Sequence, residues 1–173
     1  MPKPRNKRYE YMLEQLVERN LWEGETLVDC ACGDGYGAAY LQSAGISVLG
    51  FDLDEELIAK TKSRGVGAQV ANICKLPCVD NMADIFVCSE TLEHLDRDEL
   101  TKAVFEIKRV TKENGIICIT VPADKKICMK NKLHKQYMSS KDLEGVFSEY
   151  RVLFSGKFCK KPGRCNTVMF FGR

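Results

Sequence analysis

The sequence lacks long apolar runs, paired metal-binding cysteine motifs, internal repeats and low-complexity segments. No apolar stretch approaches the length of a transmembrane helix and no signal peptide is recognisable, so we expect a cytoplasmic protein with no membrane partner. Among the nine cysteines, Cys30-Ala31-Cys32 and the pair Cys74 and Cys78 lack the spacing and the partner histidine of a zinc site, so we expect no metal. An odd number of cysteines, mostly inside apolar runs, is typical of small reduced side chains in a core.

Composition and charge indicate one domain whose first and last parts carry charge of opposite sign. The 173 residues are 45% hydrophobic, enough for a single domain, 1–173, with a full core, and its basic start, 1–7, is predicted to be flexible. The formal net charge is +2, but residues 1–60 carry six Lys and Arg against eleven Asp and Glu, whereas residues 121–173 carry twelve against four. We therefore expect the first part to bind a cationic or polar group and the last part to attract an anion.

A glycine-rich turn follows the first predicted strand. Leu27 to Ala31 is a short apolar run with an embedded carboxylate, Asp29, which is typical of a buried parallel strand. It runs into Gly33-Asp34-Gly35-Tyr36-Gly37 and then into a predicted helix, and such glycines let the backbone approach a ligand closely. The N-terminus of this helix would otherwise attract a pyrophosphate, but Asp29 and Asp34 would repel one. The two carboxylates favour a cationic ligand, such as one with an ammonium and a sulfonium group.

Another carboxylate ends the next strand. Ile46 to Phe51 is predicted as strand two and is followed by Asp52, whose carboxylate suits the two adjacent hydroxyls of a ribose. Asp54 is the better N-cap for the helix predicted over Glu55 to Arg64, which leaves Asp52 for ligand binding. These features together indicate S-adenosylmethionine (SAM), and the arrangement resembles motif I of the class I SAM-dependent methyltransferases. The alternative is an ordinary turn between strand and helix that uses its glycines for packing.

The segment after the third strand resembles the same family. That strand is predicted over Gly67 to Ala71 and is followed by Asn72-Ile73-Cys74-Lys75-Leu76-Pro77, which is similar to the family's G-D-x-x-x-L-P. The resemblance implies that Asn72 accepts the adenine amino group, although the family has an acidic residue there. It also implies that Ile73 covers the adenine face; the alternative is that Ile73 is a core residue.

The segment after the fourth strand is a second specific match. Ala83 to Cys88 is predicted as this strand and runs into Ser89-Glu90-Thr91-Leu92-Glu93-His94-Leu95, which is similar to the family's S/F-E-x-[IL]-E-H-[IL]. The resemblance implies that Ser89 and Glu90 lie at the cofactor edge. Glu93 and His94 are either structural, satisfying backbone donors of the loop, or catalytic.

The resemblance covers Arg8 to Phe171 and implies a three-layer Rossmann-like α/β sandwich, with a mostly parallel seven-stranded sheet and an antiparallel last strand. A helix from Arg8 to Asn20 is either a surface lid on the sheet edge or an RYEF-like segment in which Arg8 and Tyr9 reach the methionine part of SAM. The other predicted elements are a helix starting at Asp96, a turn over Lys112 to Gly115, strand five over Ile116 to Pro122, a polar loop over Ala123 to Met138, a helix from Ser139 to Phe147, and a hairpin of Tyr150 to Phe158 and Cys165 to Phe171 with the turn Lys160 to Arg164.

The resemblance also implies the residues of a cofactor site. Those expected around SAM are Tyr9, Asp29, Ala31, Gly33, Asp34, Gly35, Asp52, Leu53, Asn72, Ile73, Ser89 and Glu90. A hydroxyl acceptor needs a general base, for which the candidates are His134, Glu90 and His94. His134 is preferred because its loop would cover the acceptor; the alternative is a solvated loop histidine.

The acceptor itself is indicated only by charge. The lysine-rich loop favours a small anionic acceptor, such as a nucleotide, a sugar phosphate or a carboxylate, and the alternative is a solvated basic face. RNA is less favoured because no aromatic residues alternate with the lysines. N-methylation of duplex DNA bases is disfavoured because Ser89-Glu90-Thr91-Leu92 stands where such enzymes carry N/D-P-P-Y/F. A nicotinamide-dependent oxidoreductase and a SAM-binding protein without turnover stay open, and the sequence does not indicate an oligomeric state.

Overall fold

The computed structural model describes residues 7–21, 26–161 and 164–173. Residues 1–6 of the start that was predicted to be flexible, 1–7, lie outside these ranges. Lys7, the last residue of that start, is the first residue of a helix. The tip of the last predicted turn, Pro162 and Gly163, also lies outside them. Within the three described ranges, no helix is long and apolar enough to cross a membrane.

Helices and strands alternate along the chain as the sequence predicts. A single 3-10 turn, Leu92–His94, lies between β4 and α4. The elements of the described ranges are α1 Lys7–Glu18, β1 Thr26–Cys30, α2 Tyr36–Ser43, β2 Ser47–Asp52, α3 Glu55–Ser63, β3 Gly67–Val70, β4 Ala83–Ser89, α4 Arg97–Val110, β5 Thr111–Pro122, α5 Lys125–Cys128, α6 Ser140–Val146, β6 Arg151–Lys161 and β7 Arg164–Gly172.

The strands form one seven-stranded sheet in the order β3-β2-β1-β4-β5-β7-β6. The pairs among β3, β2, β1, β4 and β5 are parallel, and β7 is antiparallel to both β5 and β6. This confirms the predicted fold class. Because β1, β2 and β4 are adjacent and parallel, the loops that follow them meet at one edge of the sheet, where ligands of such folds bind.

Helices cover both faces of the sheet, so the fold has three layers. Adjacent residues of a strand point to opposite faces, and the core divides accordingly. Leu27 and Ile85 pack with buried residues of α1 and α2. Val28 and Phe86 pack with buried residues of α4 and α6. Strands buried on both faces explain the continuous apolar runs of the sequence.

Side-chain caps fix where three helices begin. Asp54 accepts hydrogen bonds from the backbone N–H groups of Glu56 and Leu57, as predicted for the start of α3. Asp96 and Glu99 form a capping box at the start of α4, and Ser139 forms one with Asp142 at the start of α6. These caps match the predicted starts because they depend only on residues within one turn.

Strand β5 begins earlier than the sequence suggests. The predicted turn over Lys112 to Gly115 is wrong, because α4 passes directly into a strand at Thr111. Pairing with β4 shifts register between Ala83↔Thr111 and Ile85↔Ile116, so this stretch is a bulge in β5. Gly115 is required there, since a Cβ would lie 3.0 Å from the carbonyl oxygen of Ala83.

Two features of the second half depart from the predicted pattern. The polar loop over Ala123 to Met138 contains a short helix, α5, which Asp124 caps by accepting from the N–H of Ile127. Cys159 and Cys165 form a disulfide, whereas the other seven cysteines are free. The expectation of reduced cysteines is therefore wrong for this pair, which lies directly opposed in the register of β6 and β7.

Candidate functional site

The loop between β1 and α2 is a glycine turn tied to the neighbouring strand and helix. Gly33 and Gly35 have φ values of 57° and 76°, which an L side chain adopts at a cost. A Cβ on Gly35 would lie 2.6 Å from the Thr61 hydroxyl, so no larger residue fits there. A Cβ on Gly33 would meet no described atom within 4 Å, so the backbone at Gly33 is accessible to a ligand.

Asp52 at the end of β2 holds this loop in place. One carboxylate oxygen accepts from the N–H of Gly33 at 2.9 Å and the other accepts from the N–H of Asp54 at 3.1 Å. The side chain is 8% exposed. Asp54 caps α3, as predicted. Asp52 was expected to serve ligand binding alone, but it also positions the glycine loop. Each carboxylate oxygen keeps capacity for a further donor, so a ribose diol fits.

Asp29 is a fully buried carboxylate on β1. Its Oδ1 accepts a hydrogen bond from the Tyr9 hydroxyl at 2.7 Å. Its Oδ2 is buried and has no hydrogen-bond partner among the described residues. Burial raises the pKa of Asp29 to about 7, although the hydrogen bond from Tyr9 lowers it. A buried carboxylate oxygen without a donor suits a ligand that brings an ammonium group.

Helix α1 reaches this edge of the sheet through two side chains. Tyr9 is 3% exposed, and its ring lies so close to the backbone of α2 that a Cβ on Gly37 would be 2.5 Å from it. The guanidinium of Arg8 lies 3.2 Å from a carboxylate oxygen of Glu90. Of the two interpretations of α1, these contacts favour the one that brings Arg8 and Tyr9 to the cofactor site, and their contact with SAM stays a prediction.

The segment after β3 folds back on itself. The side-chain oxygen of Asn72 accepts a hydrogen bond from the N–H of Cys74 at 2.8 Å. This bond uses part of the hydrogen-bonding capacity with which Asn72 is expected to bind the adenine amino group. Ile73 is 5% exposed and packs in the main core, in line with the alternative that it is a core residue. Leu53, directly after Asp52, is 65% exposed and is free to cover a planar ligand. Their roles toward adenine stay predictions.

The remaining residues expected around SAM lie on the same loops. Ala31 and Asp34 are half-buried on the glycine loop. Arg64, the C-cap of α3, donates to the carbonyl oxygen of Asp34 at 2.8 Å and stacks on the Tyr36 ring at 3.5 Å from its centroid. The glycine loop is therefore held from the α3 side as well as by Asp52.

The ends of β4 and β5 fix Ser89 and Glu90. The hydroxyl of Ser89 lies 2.9 Å from that of Thr120, and the N–H of Glu90 donates to the carbonyl oxygen of Thr120 at 2.9 Å. Glu90 has a φ of 56°, which is rare for a residue with a side chain. Burial raises the pKa of the Glu90 carboxyl, and the charge of Arg8 lowers it. The carboxylate is thus positioned at the edge where an acceptor would lie.

The 3-10 turn and the loop after α5 bring the two histidines of the chain together. The rings of His94 and His134 are perpendicular, with centroids 4.6 Å apart. Glu93, between Glu90 and His94, is 0% exposed, and neither carboxylate oxygen has a hydrogen-bond partner in the described part of the chain. Burial, and then the charge of Glu90, raise the pKa of Glu93 to about 8.

The sequence interpretation of this segment is only partly right. The loop donors, the N–H groups of Lys135 and Gln136, do bond to Glu93, but to its backbone carbonyl rather than to its side chain. The candidate base His134 contacts the thiol of Cys128 at 3.2 Å through Nδ1 and the amide nitrogen of Asn131 at 2.8 Å through Nε2. A base role for His134 stays a prediction.

The residues from β1 to β5 match a known family. A family of methyltransferase domains matches residues 28–119, which include Asp29, the glycine loop, Asp52 and the end of β4. The chain belongs to this family. The matched range is more than half of the chain, and the predicted membership of the class I SAM-dependent methyltransferases is confirmed.

Two of the curated relatives of this methyltransferase domain are named for different acceptors. A "Probable S-adenosylmethionine-dependent methyltransferase" of Mycolicibacterium smegmatis is 29% identical over 119 residues, 67% of this chain and 44% of that protein. A malonyl-[acyl-carrier protein] O-methyltransferase of Pectobacterium atrosepticum is 30% identical, covering 58% of this chain and 40% of its own length. A tRNA (carboxymethyluridine(34)-5-O)-methyltransferase of Arabidopsis thaliana is 30% identical, covering 59% and 25%. The chain thus spans less than half the length of these relatives.

Solved structures share the fold over nearly the whole methyltransferase domain. A protein from Pyrococcus horikoshii OT3 aligns with a TM-score of 0.79 at 18% sequence identity, covering 99% of this chain and 92% of that one. The family implies SAM, and the residues present fit it: an accessible glycine backbone, a carboxylate beside it and a buried carboxylate oxygen without a donor. Asp34 on the glycine loop and Asp52 beside it add negative charge where a pyrophosphate would lie, which disfavours a phosphate-linked ligand.

Proposed function

We propose that the protein transfers a methyl group from SAM to a small anionic acceptor by in-line displacement. Two observations carry this proposal: the unpartnered oxygen of buried Asp29 on β1, and the accessible backbone of Gly33 in the loop that follows β1. A carboxylate in that position favours a ligand with an ammonium group over a phosphate-linked one. The family membership supports the same cofactor.

The side chains of the site have separate parts in holding the cofactor. Asp29 would accept from the ammonium group, Asp52 from the ribose hydroxyls and Asn72 from the adenine amino group, with Leu53 against the adenine face. When bound, SAM supplies a methyl group on a sulfonium that is already activated. The protein then needs only to align a nucleophile and exclude water, and orientation alone contributes on the order of 7–11 kcal/mol in favourable cases.

The acceptor would approach from the ends of β4 and β5. Glu90, fixed there by Thr120 and Arg8, is the best-placed candidate for a general base, with His94 and His134 on the same side. The relative named a malonyl-[acyl-carrier protein] O-methyltransferase supports an anionic acceptor, because a malonyl group carries a carboxylate. The tRNA relative favours RNA as the second candidate. Incubation of the protein with radiolabelled SAM and, separately, with a metabolite pool or an RNA pool distinguishes the two acceptors. If neither pool becomes labelled, that result contradicts catalysis and favours a SAM-binding protein without turnover.

Reversing the charge of Lys130 and Lys132 tests the anionic acceptor. Both side chains are exposed on the loop after α5, whereas Lys135 is already paired with Glu99 at 2.7 Å. We expect Lys130→Glu with Lys132→Glu to raise KM for the acceptor at least tenfold and to weaken its salt dependence, because the attraction is electrostatic. Lys157→Glu, an exposed lysine on β6, is the control. Unchanged kinetics in the double variant would show that the lysines are only a solvated face.

Substituting Gly33 tests the cofactor position. Gly33→Ala costs about 1–2 kcal/mol of stability because of its positive φ, and its methyl group would enter the ligand's space, so SAM binding is expected to weaken at least thirtyfold. Gly45→Ala is the matched control, since Gly45 also has a positive φ and a Cβ there also meets no described atom within 4 Å. Thermal unfolding and calorimetric titration check the two effects. Equal SAM affinity in both variants would exclude Gly33 from the site.

We also propose a cytoplasmic location. Seven of the nine cysteines are free, which favours a reducing compartment, whereas the disulfide between Cys159 and Cys165 is an observation on the other side. Fractionation of cells that naturally express the protein tests this, and recovery in a membrane or secreted fraction would contradict it.

A further inference from the structure

Three side chains with metal-ligating atoms converge beside the proposed acceptor position. Glu93, His94 and His134 each offer one ligand atom, and these atoms lie within 4.8 Å of one another. The chain has two histidines, 40 positions apart, and both are in this cluster. They meet because β4 and β5 are adjacent and parallel, so that the segments following them leave the sheet at the same edge.

Glu93 lacks a partner for its side chain in this cluster. It is 0% exposed, and both of its carboxylate oxygens are without a hydrogen-bond partner among the residues that the structure describes. Burying a carboxylate without partners is costly, and proteins usually offset that cost with a cation or with donors. The two imidazoles bring their ligand atoms within 4.8 Å of this carboxylate, so a cation bound by all three side chains would offset that cost.

One ring nitrogen of His94 is available to bind a metal. Its Nδ1 lies 3.2 Å from the carbonyl oxygen of Leu133. A carbonyl only accepts hydrogen bonds, so Nδ1 carries the hydrogen and the Nε2 lone pair is available in the neutral ring. Histidines that bind metals typically donate their other N–H to a backbone carbonyl in this way. The carbonyl belongs to the residue before His134, so one loop supplies a ligand and orients another.

We propose that Glu93, His94 and His134 bind one divalent transition-metal cation, of the class of Mn²⁺ or Zn²⁺. Two imidazoles with one carboxylate favour such ions over Mg²⁺ and Ca²⁺, which prefer oxygen ligands only. Ligation by His134 replaces one of its two present contacts, with Cys128 or with Asn131. The expectation of no metal rested on the cysteines, which lack the spacing and the partner histidine of a zinc site and are not part of this cluster.

Three protein ligands leave coordination positions open. If the proposed methyl transfer holds, an oxygen of the anionic acceptor would occupy one of them, which would lower the pKa of an acceptor hydroxyl and orient it. The metal site itself does not depend on that reaction. Its test therefore uses binding of the metal alone as the first measurement.

The experiment is a calorimetric titration of chelator-treated, desalted protein with MnCl₂. Manganese is the probe because the free cysteines bind it more weakly than they bind zinc. We expect one site per chain, with affinity at least tenfold lower in Glu93→Gln and in His94→Gln and unchanged in Glu113→Gln, an exposed glutamate at the opposite end of β5. MgCl₂ should bind at least tenfold more weakly than MnCl₂.

Three results would each overturn the proposal. The first is that the intact protein shows no binding up to about 1 mM Mn²⁺. The second is that the two site variants bind Mn²⁺ as tightly as the intact protein, and the third is that Mg²⁺ binds as tightly as Mn²⁺. Circular dichroism and thermal unfolding of Glu93→Gln and His94→Gln, expected to match the intact protein, show that the variants fold. Loss of Mn²⁺ binding with SAM binding retained supports the metal site alone. Mn²⁺ binding without any SAM binding would instead overturn the proposed function and leave the metal site standing.

Discussion

Replacing Asp29 by Asn should weaken SAM binding at least a hundredfold, about 3 kcal/mol. The amide keeps the acceptor for the Tyr9 hydroxyl and nearly the same volume, but it removes the negative charge from a buried position. Because an ion pair at a buried position is poorly screened, the substitution removes most of the attraction between residue 29 and the ammonium group of the ligand. Calorimetric titration measures the loss, and circular dichroism checks the fold.

A ligand without the ammonium group provides the matched control. 5′-Methylthioadenosine retains the adenosine part, so its affinity should be the same in Asp29→Asn and in the unmodified protein. An equal loss for both ligands would show that the substitution disturbs the loop rather than one contact, and an undiminished affinity for SAM would remove Asp29 from the site.

The pH dependence of SAM binding follows from the raised pKa of Asp29. The carboxyl is neutral below its pKa of about 7, so the affinity should fall by up to tenfold for each pH unit from 7 down to 5. The same shift means that the native state holds a proton which the unfolded chain releases near pH 4. The contribution of Asp29 to folding stability is therefore complete below pH 4 and is lost as the pH rises to 7. Both dependences should flatten in Asp29→Asn.

Replacing Asp52 by Ala should have an effect of similar size on every adenosine ligand. The change removes the acceptor for a ribose diol and also the acceptor for the N–H of Gly33, so both the contact and the loop geometry are lost. We expect at least a hundredfold weaker binding of SAM and of 5′-methylthioadenosine, and a stability loss of about 1–3 kcal/mol with the fold retained. Titration of both ligands separates this pattern from that of Asp29→Asn.

Asp54→Ala is the control for this prediction. It removes the adjacent carboxylate and the N-cap of α3, at a stability cost of about 1 kcal/mol. SAM affinity should stay within a few-fold of the unmodified protein. If Asp54→Ala weakens binding as much as Asp52→Ala, then the start of α3, rather than the carboxylate of Asp52, determines affinity.

Local signals account for most of what the sequence predicted. The caps at Asp54 and Ser139, the strands buried on both faces and the carboxylates at the ends of β1 and β2 all depend on residues a few positions apart. The start of β5 was missed because Asn114 and Gly115 have turn chemistry, whereas the glycine is needed here for a close approach to β4. Only tertiary packing distinguishes these two uses of Asn-Gly.

The contacts that join distant segments could not be predicted in the same way. The hydrogen bond from Tyr9 to Asp29 spans 20 positions, and that from Gly33 to Asp52 spans 19. The cluster of Glu93, His94 and His134 needed the order of β4 and β5 in the sheet. One signal was available: both histidines of the chain lie in segments that follow predicted strands of the sheet, His94 after strand four and His134 after strand five.

The most direct test of the proposed cofactor site is a calorimetric titration of the intact protein with SAM and, separately, with NADH at pH 7.5. Carboxylates around the glycine loop predict one SAM site per chain and no binding of NADH, whose pyrophosphate would meet Asp29 and Asp34. Saturable binding of NADH with no heat from SAM would contradict the cationic cofactor and with it the proposed methyl transfer.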